Sequence, residues 1–373
     1  MYSRWILRKE VGEERKDSII SRAQTETSAS RTNMNTSLAT NEICYQLEEN
    51  SCPRAIRSHG LRVSLYAFGA LAVLVTMFGN LLVIVSISHF KQLHTPTNYL
   101  VLSLAIADFL LGCMVMPYSL VRSIENCWYL GDLFCKLQAS FDFMLCAASI
   151  FHLCFISVDR YYAVCDPLKY KIKINLHIVL MMILLSWILS AFVGFGMICL
   201  ELNLIEIRDY YHNKIYCYGG CTLVMGKICT VIYSLVSFFF PGFIMLCIYM
   251  KIYFVATKQA RAINDITRQI QSIKENKNVA SQTSERKAAK TLGIVMGVFL
   301  MCWTPYFTSN FIDPFIGHKT PPLMFDTFFW LGYLNSAFNP VIYAFFYSWF
   351  RKALKIILTF KIFATDSSRI NLF

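Results

Sequence analysis

The sequence predicts an all-α membrane protein, a bundle of seven transmembrane helices followed by a short amphipathic eighth helix. Of the 373 residues, 56% are of the AVILMFWYC types and only 16% are charged, whereas soluble domains carry about 25% charged residues. The apolar residues also fall into seven runs of 21 to 25 residues, long enough to cross a hydrocarbon core of about 30 Å. These predicted spans, numbered 1 to 7 in chain order, are 63–87, 99–120, 137–158, 178–200, 228–250, 291–312 and 327–347.

The basic residues predict the orientation of the bundle. The segments after spans 1, 3 and 5 and the C-terminal segment hold 19 Lys and Arg, whereas the other three loops hold six. Short loops rich in Lys and Arg stay in the cytoplasm. We therefore expect a multi-pass plasma-membrane protein with an extracellular N-terminus and a cytoplasmic C-terminus. The 62 residues before span 1 carry ten Lys and Arg, but long N-terminal segments weigh little in this rule.

Three regions follow from these spans: an extracellular segment (1–61), a transmembrane domain (62–347) and a cytoplasmic amphipathic helix with a tail (348–373). Residues 1–33 are open to two interpretations, an extension of the gene model or a disordered tail. Asn35 heads an Asn-x-Ser glycosylation acceptor. In the last region Phe350 and Leu354 mark an apolar face, and Arg351 and Lys355 a basic one, which predicts a helix lying on membrane lipid.

Cysteines outside the spans predict disulfides on the oxidising, extracellular side. Cys135 stands at the outer end of span 3, and either Cys217 or Cys221 in the loop after span 4 is a candidate partner. In the N-terminal segment, Cys44 and Cys52 indicate a second bridge, for which we favour Cys44 with Cys217. Spacing alone does not fix this connectivity.

Two acids, Asp108 and Asp142, are the formal charges within the seven spans. An ionisable residue inside a membrane helix is costly and by default marks a functional site. Asp142 lies seven residues after Cys135, about 10 Å below the outer end of its helix. Because no span contains Lys or Arg, its counter-ion must come from solution, and an amine ligand fits this requirement.

Helical spacing adds hydroxyl and aromatic side chains to the predicted amine site. Ion pairing, ring stacking and cation–π attraction to such side chains suit a small aromatic amine. An aromatic stripe is also typical of core or lipid-facing positions, and that alternative stays open for each ring. The predicted ligand site comprises Asp142, Phe143, Cys146, Tyr233, Ser234, Ser237, Trp303, Tyr306, Phe307 and Tyr333.

Asp108 lies at mid-membrane depth on span 2. Polar residues at similar depth predict either a site for Na⁺ or a proton, since hard oxygen ligands suit small cations, or a hydrogen-bonded structural network. These residues are Ser149, Asn335, Ser336 and Asn339.

Other classes of membrane protein fit the sequence less well. Transporters show paired broken helices in repeated halves, and seven spans do not halve. An opsin needs a Lys in span 7, where Tyr333 stands. An enzyme needs a nucleophile–base or metal constellation. The sequence has no His-Glu-x-x-His motif, and His152 alone in span 3 is interpreted as a packed or hydrogen-bonded residue, so we expect neither catalysis nor a cofactor.

Short motifs in six of the spans, and one directly after span 3, resemble those of rhodopsin-like (class A) G-protein-coupled receptors from Leu61 onward. Within that family, the residue pattern from Asn335 to Phe350 in and after span 7 is similar to that of the trace amine-associated receptors. The C-terminal tail after the amphipathic helix is similar to that of their subtype-one branch. The motifs are Gly79-Asn80, Leu104-Ala105-Ile106-Ala107-Asp108, Asp159-Arg160-Tyr161, Trp187, Pro241 with Tyr249, Cys302-Trp303-Thr304-Pro305 and Asn339-Pro340-Val341-Ile342-Tyr343.

The resemblance implies receptor activity rather than catalysis. It implies tyramine, phenethylamine and related small aromatic amines as ligands, and a stimulatory heterotrimeric G protein that raises cyclic AMP. The alternative is an olfactory amine or biogenic monoamine receptor of the same fold. It further implies that Asp142 binds the ligand ammonium, that Trp303 is a switch below the ligand, and that Cys135 bonds to Cys221.

The resemblance also implies a coupling site at the opposite membrane face, about 27 Å along span 3 from Asp142. There Arg160, paired with Asp159 and with Glu285 when inactive, meets the G protein. The coupling and switch residues implied are Asp159, Arg160, Tyr161, Tyr249, Glu285, Asn339, Pro340 and Tyr343.

Three positions depart from the family pattern. Span 4 lacks the proline that often follows Trp187, so its outer end is expected to run differently. Tyr306 replaces a Phe, and Tyr233 stands where a small hydroxyl residue is common. Both tyrosines are expected to narrow or polarise the pocket.

Overall fold

The computed structural model describes residues 43–48, 50–269, 277–364 and 366–372, with the backbone alone at 260, 263–269, 277–290 and 292. The predicted glycosylation acceptor at Asn35 therefore lies outside the described residues. The described chain is an all-α membrane bundle, whose β structure is limited to the isolated bridges Ile43 to Pro53 and Ser51 to Tyr218.

Seven long helices run through the bundle in the predicted order. Five of them are long and apolar enough to cross a membrane by length and composition; the other two, spans 6 and 7, pack against each other and the rest of the bundle. The spans are His59–His89, Pro96–Met114, Gly131–Cys165, Leu176–Ala191, Lys227–Ser234 continuing through Leu235–Phe239 into Phe240–Gln269, Lys277–Ile312, and Pro322–Phe346.

Side-chain caps fix where several spans begin. Ser58, Thr95 and Asn175 each precede a helix and accept a hydrogen bond from a backbone N–H of its first turn, which satisfies one of the donors that a helix start leaves unpaired. Span 2 ends at Met114, and a separate helix, Met116–Glu125, follows with a proline in its first turn. Proline has no N–H to donate and so suits a helix start.

Two π-helical turns interrupt the helices next to the candidate site. In span 5 the turn Leu235–Phe239 lies just before Pro241, where a proline cannot donate a hydrogen bond to the preceding turn. In span 4, Phe192–Gly196 is π-helical, so the end of this span does run irregularly. A Cβ at Gly194 would lie 2.8 Å from the Met144 backbone nitrogen, so glycine permits close contact of spans 3 and 4 there.

Three disulfides join loops at one end of the bundle, called here the disulfide end. Cys135 is bonded to Cys221, the pairing that the resemblance implies. The predicted bridge from Cys44 to Cys217 is wrong, because Cys44 is bonded to Cys127 and Cys52 to Cys217. The prediction overlooked Cys127 in the loop after Met116–Glu125, and backbone hydrogen bonds from Cys44 to Cys52 and from Cys52 to Tyr218 fix a different chain path.

A buried glutamate anchors the N-terminal segment at the same end. Glu125 accepts hydrogen bonds from Arg54 (2.6 Å) and Tyr66 (2.9 Å) and forms an ion pair with Arg62. Burial raises the pKa of the Glu125 carboxyl, but the hydrogen bonds and positive charges of its partners outweigh burial, so that its pKa is below the usual range. The negative charge of Glu125 is therefore balanced by Arg54 and Arg62 of the same chain.

The opposite end, called here the Arg160 end, carries the amphipathic helix Ser348–Leu358. Its apolar side chains Trp349, Phe350 and Ala353 are buried, whereas Arg351 and Lys355 are exposed. Arg351 donates to the carbonyl oxygens of Ala344 (3.2 Å) and Phe345 (2.7 Å), which are among the unpaired carbonyls at the end of span 7.

Candidate functional site

A cavity of about 490 Å³ opens at the disulfide end. Its volume falls in the range of pockets that hold small molecules. Asp142 and Phe143 of span 3 and Tyr306 of span 6 line the cavity, and the loop after span 4 lies over it with Cys217 and Cys221. The Cys135–Cys221 disulfide therefore fixes this loop across the mouth of the helix bundle.

Asp142 is a buried carboxylate in this cavity with neutral hydrogen-bond partners. It is 3% exposed; the Tyr333 hydroxyl donates to it at 2.6 Å and the Cys146 thiol at 3.5 Å. Within the described part of the chain, no basic side chain lies within the 4.0 Å of an ion pair with Asp142. A buried carboxylate that lacks an ion-pair partner attracts a cation.

A relay of hydrogen bonds holds Tyr333 in position. The Gln138 amide donates to the Ser119 hydroxyl at 2.9 Å, and the Ser119 and Tyr333 hydroxyl oxygens are 3.1 Å apart. Because Tyr333 donates its proton to Asp142, Ser119 must donate to Tyr333. Three helices thereby orient one carboxylate, so that its geometry is set before any ligand arrives.

A cluster of aromatic rings packs beside the cavity, which Tyr306 and Phe329 of this cluster line. Tyr306 packs on Phe307 (5.3 Å between ring centroids) and on Phe329 (4.9 Å), and Trp303 lies 5.7 Å from Phe307. A Cβ at Gly332 would lie 2.7 Å from the Trp303 ring, so only glycine lets the indole pack there without a shift. The rings are tilted or edge-on, which is the favourable arrangement for aromatic pairs.

The ten predicted ligand residues do not share one cavity. Tyr233 fills the space between Phe143 (5.1 Å) and Phe307 (5.6 Å). Tyr233 and Ser237 line a second, apolar cavity of about 340 Å³ between spans 4 and 5, and the buried Ser237 hydroxyl has no hydrogen-bond partner. The remaining predicted residues lie outside the lining of both cavities; they are Cys146, Ser234, Trp303, Phe307 and Tyr333.

Several lining residues were missed by the sequence prediction. Asn310 lies on span 6 with its amide nitrogen 3.4 Å from the Ser234 hydroxyl, seven residues after Trp303 and thus on the same helix face. Phe329 lies four residues before Tyr333 and also lines the cavity. Helical spacing would have found both. Arg122 and Asp326 line the cavity as well, and no motif in the sequence indicates them.

Asp108 lies deeper in the bundle and is fully buried. It accepts hydrogen bonds from the Ser336 hydroxyl (2.7 Å) and the Asn339 amide (2.8 Å). Among the described residues, several buried polar atoms of the same predicted cluster lack a hydrogen-bond partner: Ser149 Oγ, both amide atoms of Asn335, and Asn339 Oδ1. Such atoms need water or an ion as partners.

At the Arg160 end, a carboxylate and a guanidinium neutralise each other. Arg160 forms an ion pair with the fully buried Asp159 and donates to Thr97. Tyr170, which the sequence analysis did not single out, donates to Asp159 at 2.9 Å. The Glu285 side chain lies outside the described residues, so its predicted pairing with Arg160 stays a prediction.

The other predicted coupling residues lie along the same half of the bundle. Lys251 lies 5.7 Å from the ring of Tyr161, and Tyr343 packs against Tyr347 (5.7 Å) near the terminal helix. Tyr249 is partly buried on span 5. Pro340 lies within span 7, and Asn339 belongs to the Asp108 cluster instead.

The sequence model of the 7 transmembrane receptor (rhodopsin family) matches residues 79–343. The chain belongs to the rhodopsin family of G-protein-coupled receptors. It is 57% identical to trace amine-associated receptor 1 of Macaca mulatta over 330 residues, covering 88% of this chain and 98% of that receptor. It is 55% identical to the human trace amine-associated receptor 1, with 88% of this chain and 97% of that receptor covered. It is 51% identical to trace amine-associated receptor 4 of Rattus norvegicus, with 88% of this chain and 94% of that receptor covered.

These identities assign the receptor to the trace amine-associated receptors, with similarity to subtype 1. It is a multi-pass plasma-membrane protein with a small-molecule ligand and a G protein as partners, and not an enzyme. The cavity at the disulfide end and the Asp159–Arg160 pair at the other end are thus the candidate ligand and coupling sites of a receptor.

Proposed function

We propose that this receptor binds small aromatic amines such as tyramine and phenethylamine at Asp142, and that it signals through a stimulatory G protein to raise cyclic AMP. One observation carries the ligand assignment: the buried Asp142 carboxylate borders the cavity with only neutral hydrogen-bond donors. An ammonium ion would supply the missing positive charge.

The rest of the cavity supports an aromatic group on that amine. Phe143, Tyr306 and Phe329 border the same space as the carboxylate, so an ammonium at Asp142 leaves the ligand ring against aromatic walls. Stacking and edge-on packing of rings contribute roughly 0.5–1.5 kcal/mol beyond the area buried. The relatives are named trace amine-associated receptors, which supports the same ligand class.

The test is a cyclic AMP assay in cells that express the wild type or Asp142→Ala, stimulated with tyramine and with phenethylamine. We expect a response of the wild type that Asp142→Ala abolishes at equal surface expression. Asp132→Ala is the matched control, because Asp132 is an exposed acid on the same helix whose partner is the Tyr216 hydroxyl. Silence of all three proteins would contradict the ligand or G-protein assignment.

A second candidate function, an olfactory amine or biogenic monoamine receptor, uses the same acid. Tyr233 disfavours the larger catecholamines, because its ring occupies the space between Phe143 and Phe307. Larger responses to dopamine or to an aliphatic amine than to phenethylamine would favour this alternative.

We further propose that the disulfide end is extracellular and the Arg160 end cytoplasmic, as the basic residues indicate. The three disulfides support this orientation, because disulfides persist in oxidising compartments. The G protein then meets Arg160, and the exposed basic residues of Ser348–Leu358 contact anionic lipid. Antibody accessibility of epitope tags at each terminus in intact cells tests the orientation.

We also propose that Asp108 holds Na⁺. Two neutral donors hydrogen-bond to its carboxylate and leave its negative charge in place. Among the described residues, the nearby oxygens of Ser149, Asn335 and Asn339 have no hydrogen-bond partner, and oxygen ligands suit a small cation. Replacing NaCl with choline chloride should change agonist affinity in the wild type and not in Asp108→Asn. An equal response of both proteins to the exchange would contradict sodium binding at this site.

A further inference from the structure

The second cavity, between spans 4 and 5, is called here the lateral cavity. It measures about 340 Å³, within the range of pockets that hold small molecules. Among the described residues, none that lines it also lines the cavity at Asp142. Tyr233 borders the lateral cavity and packs on Phe143, which lines the cavity at Asp142. The two cavities are therefore separate, with Tyr233 between them.

Both π-helical turns of the bundle's spans 4 and 5 contribute walls to the lateral cavity. Phe192 and Val193 belong to the turn in span 4, and Val236 and Ser237 belong to the turn in span 5. Single π-helical turns within α-helices are rare and occur frequently at functional sites. Two such turns at one cavity favour a binding site over an accidental packing defect.

The rim of the lateral cavity faces lipid. The lining side chains Phe192, Ile232 and Val236 are exposed, and they lie on helices that are long and apolar enough to cross a membrane. The membrane-exposed surface of such a helix contacts lipid tails. A ligand can therefore reach this cavity from the membrane, without passing the loop over the mouth of the bundle.

One charged side chain, Glu206 in the loop after span 4, belongs to the described lining of the lateral cavity. Its carboxylate accepts a hydrogen bond from the Ile228 backbone N–H at 3.1 Å, which holds it at the start of span 5. Among the described residues, Glu206 has no ion-pair partner. Electrostatic complementarity thus favours a cationic group at this end of the cavity and disfavours a fatty acid or a lipid phosphate.

Ser237 provides a polar group at the other end of the cavity. It is 1% exposed, and its hydroxyl has no hydrogen-bond partner among the described residues. It lies nine residues after Ile228, which corresponds to about 14 Å along the helix. A buried hydroxyl without a partner is costly, and a hydrogen bond to a ligand would remove that cost. The cavity therefore has mostly apolar walls between a carboxylate and an unpaired hydroxyl.

We propose that the lateral cavity binds an elongated primary amine, with its ammonium at Glu206 and, at the far end of an apolar chain, a hydrogen-bonding group at Ser237. In the orientation proposed above, Glu206 lies at the outer membrane face. An amphiphilic amine in the outer leaflet keeps its charged head at that depth and its chain in the hydrocarbon. It would enter the cavity between spans 4 and 5, apart from the ligand at Asp142.

The first test locates the site by photo-crosslinking in the full receptor, reconstituted in lipid nanodiscs. The probe is 10-amino-1-decanol with a diazirine in its chain, whose extended length matches the separation of the two polar ends. We expect mass spectrometry to find labels on the turn Phe192–Gly196. Glu206→Gln should reduce this labelling about tenfold, the effect of losing one charge-assisted hydrogen bond, while its amide oxygen can still accept from the Ile228 N–H.

Glu201→Gln is the matched control, because Glu201 is an acid of the same loop that pairs with Lys136 and Arg208 and lies outside the lining of the lateral cavity. It should label as the wild type does. Equal labelling of wild type and Glu206→Gln, or equal reductions in both variants, would overturn the proposal. Loss of labelling in Asp142→Asn would assign the probe to the other cavity and overturn it as well.

The second test uses competition by unlabelled compounds to examine the two ends of the ligand. Decylamine should compete at least tenfold better than 1-decanol or decanoate, and Glu206→Gln should remove this advantage. Equal competition by the amine, the alcohol and the acid would overturn the proposal, because the cavity would then accept any apolar chain.

The far end is tested by comparing 10-amino-1-decanol with decylamine. The amino alcohol should compete several-fold better in the wild type, and Ser237→Ala should remove that difference. Ser234→Ala is the control, because Ser234 is a buried serine of the same span outside the lining of the lateral cavity. A difference that persists in Ser237→Ala would overturn the assignment of Ser237 to the ligand's far end.

Discussion

Asp142 and Asp159 lie on the same helix, Gly131–Cys165, and both are buried, but their surroundings differ in one respect. Asp159 has Arg160 as a countercharge and further donors from Thr97 and Tyr170. Among the described residues, the hydrogen-bond partners of Asp142 are the neutral Tyr333 hydroxyl and Cys146 thiol. The chain therefore neutralises the acid at one end of the helix, whereas the acid at the other end has no ion-pair partner among the described residues, which is why we propose that a ligand supplies the positive charge.

Glu125 extends the comparison to a third buried acid. Its partners Arg54, Arg62 and Tyr66 come from the N-terminal segment and span 1, so it is a structural anchor at the same end as the ligand cavity. Burial alone does not distinguish a binding site from an anchor; the presence or absence of a basic partner does.

The largest effect on stability is expected from Asp159→Asn. This change leaves the mostly buried Arg160 without its carboxylate, and breaking a buried pair in this way costs roughly 3–5 kcal/mol. Thermal unfolding of the purified receptor should show a lower melting temperature. The matched change Asp142→Asn removes a charge without a partner and should leave the melting temperature unchanged or higher. Equal losses in both variants would remove the distinction between the two acids.

Glu125→Gln is expected to lower the free energy of unfolding by a smaller amount, about 2 kcal/mol, because its partners Arg54 and Arg62 are partly exposed. Since the folded pKa of Glu125 is below its ordinary value of 4.5, its contribution is present above about pH 4.5 and is lost as the pH falls through the folded pKa. The difference in melting temperature between wild type and variant should therefore shrink at acidic pH.

Glu201→Gln provides the control for that series, because the partners of Glu201, Lys136 and Arg208, are exposed. Exposed pairs contribute about 0–1 kcal/mol. A pH dependence of Glu201→Gln as large as that of Glu125→Gln would assign the effect to surface charge in general.

A moderate effect on ligand potency is expected from Tyr333→Phe. The change removes the one hydroxyl that holds the Asp142 carboxylate, which corresponds to about 1 kcal/mol and a several-fold to tenfold weaker amine response. Concentration–response curves for phenethylamine provide the measurement. Tyr306→Phe, which removes a hydroxyl from another wall of the cavity, should shift potency less.

The smallest effect is expected from Ser237→Ala. The Ser237 hydroxyl is buried without a partner and borders the apolar cavity between spans 4 and 5. We expect unchanged stability within about 0.5 kcal/mol and unchanged potency of both tyramine and phenethylamine. A selective loss of the tyramine response would instead support the sequence prediction that Ser237 belongs to the ligand site.

The order of the spans and the buried acid of the site were accessible to sequence reasoning. Apolar runs of membrane length predict helices because the bilayer requires every backbone group to be bonded internally. The helices extend past the apolar runs, as in Gly131–Cys165 against the predicted 137–158, because polar residues continue a helix beyond the hydrocarbon core. Asp142 could be predicted as a site residue because a charged side chain inside a membrane span is costly and by default marks a functional site.

Other features depend on the three-dimensional path of the chain. The partner of Cys44 is set by how the N-terminal segment crosses the loop with Cys127, and no spacing rule encodes that path. Tyr170 reaches Asp159 from a separate short helix. Helical spacing predicted Tyr233 as a ligand contact. In the structure its large ring packs between Phe143 and Phe307.

The central claim is that Asp142 is a buried carboxylate whose countercharge comes from a bound cation. The most direct test changes the charge of the ligand and the charge of residue 142 in the same experiment. Binding of phenethylamine and of its neutral analogue 2-phenylethanol is measured on the wild type and on Asp142→Asn. The account predicts that the wild type prefers the amine by about 100-fold or more, as expected for a buried ion pair, and that Asp142→Asn loses this preference. A preference for the amine that persists in Asp142→Asn would contradict it.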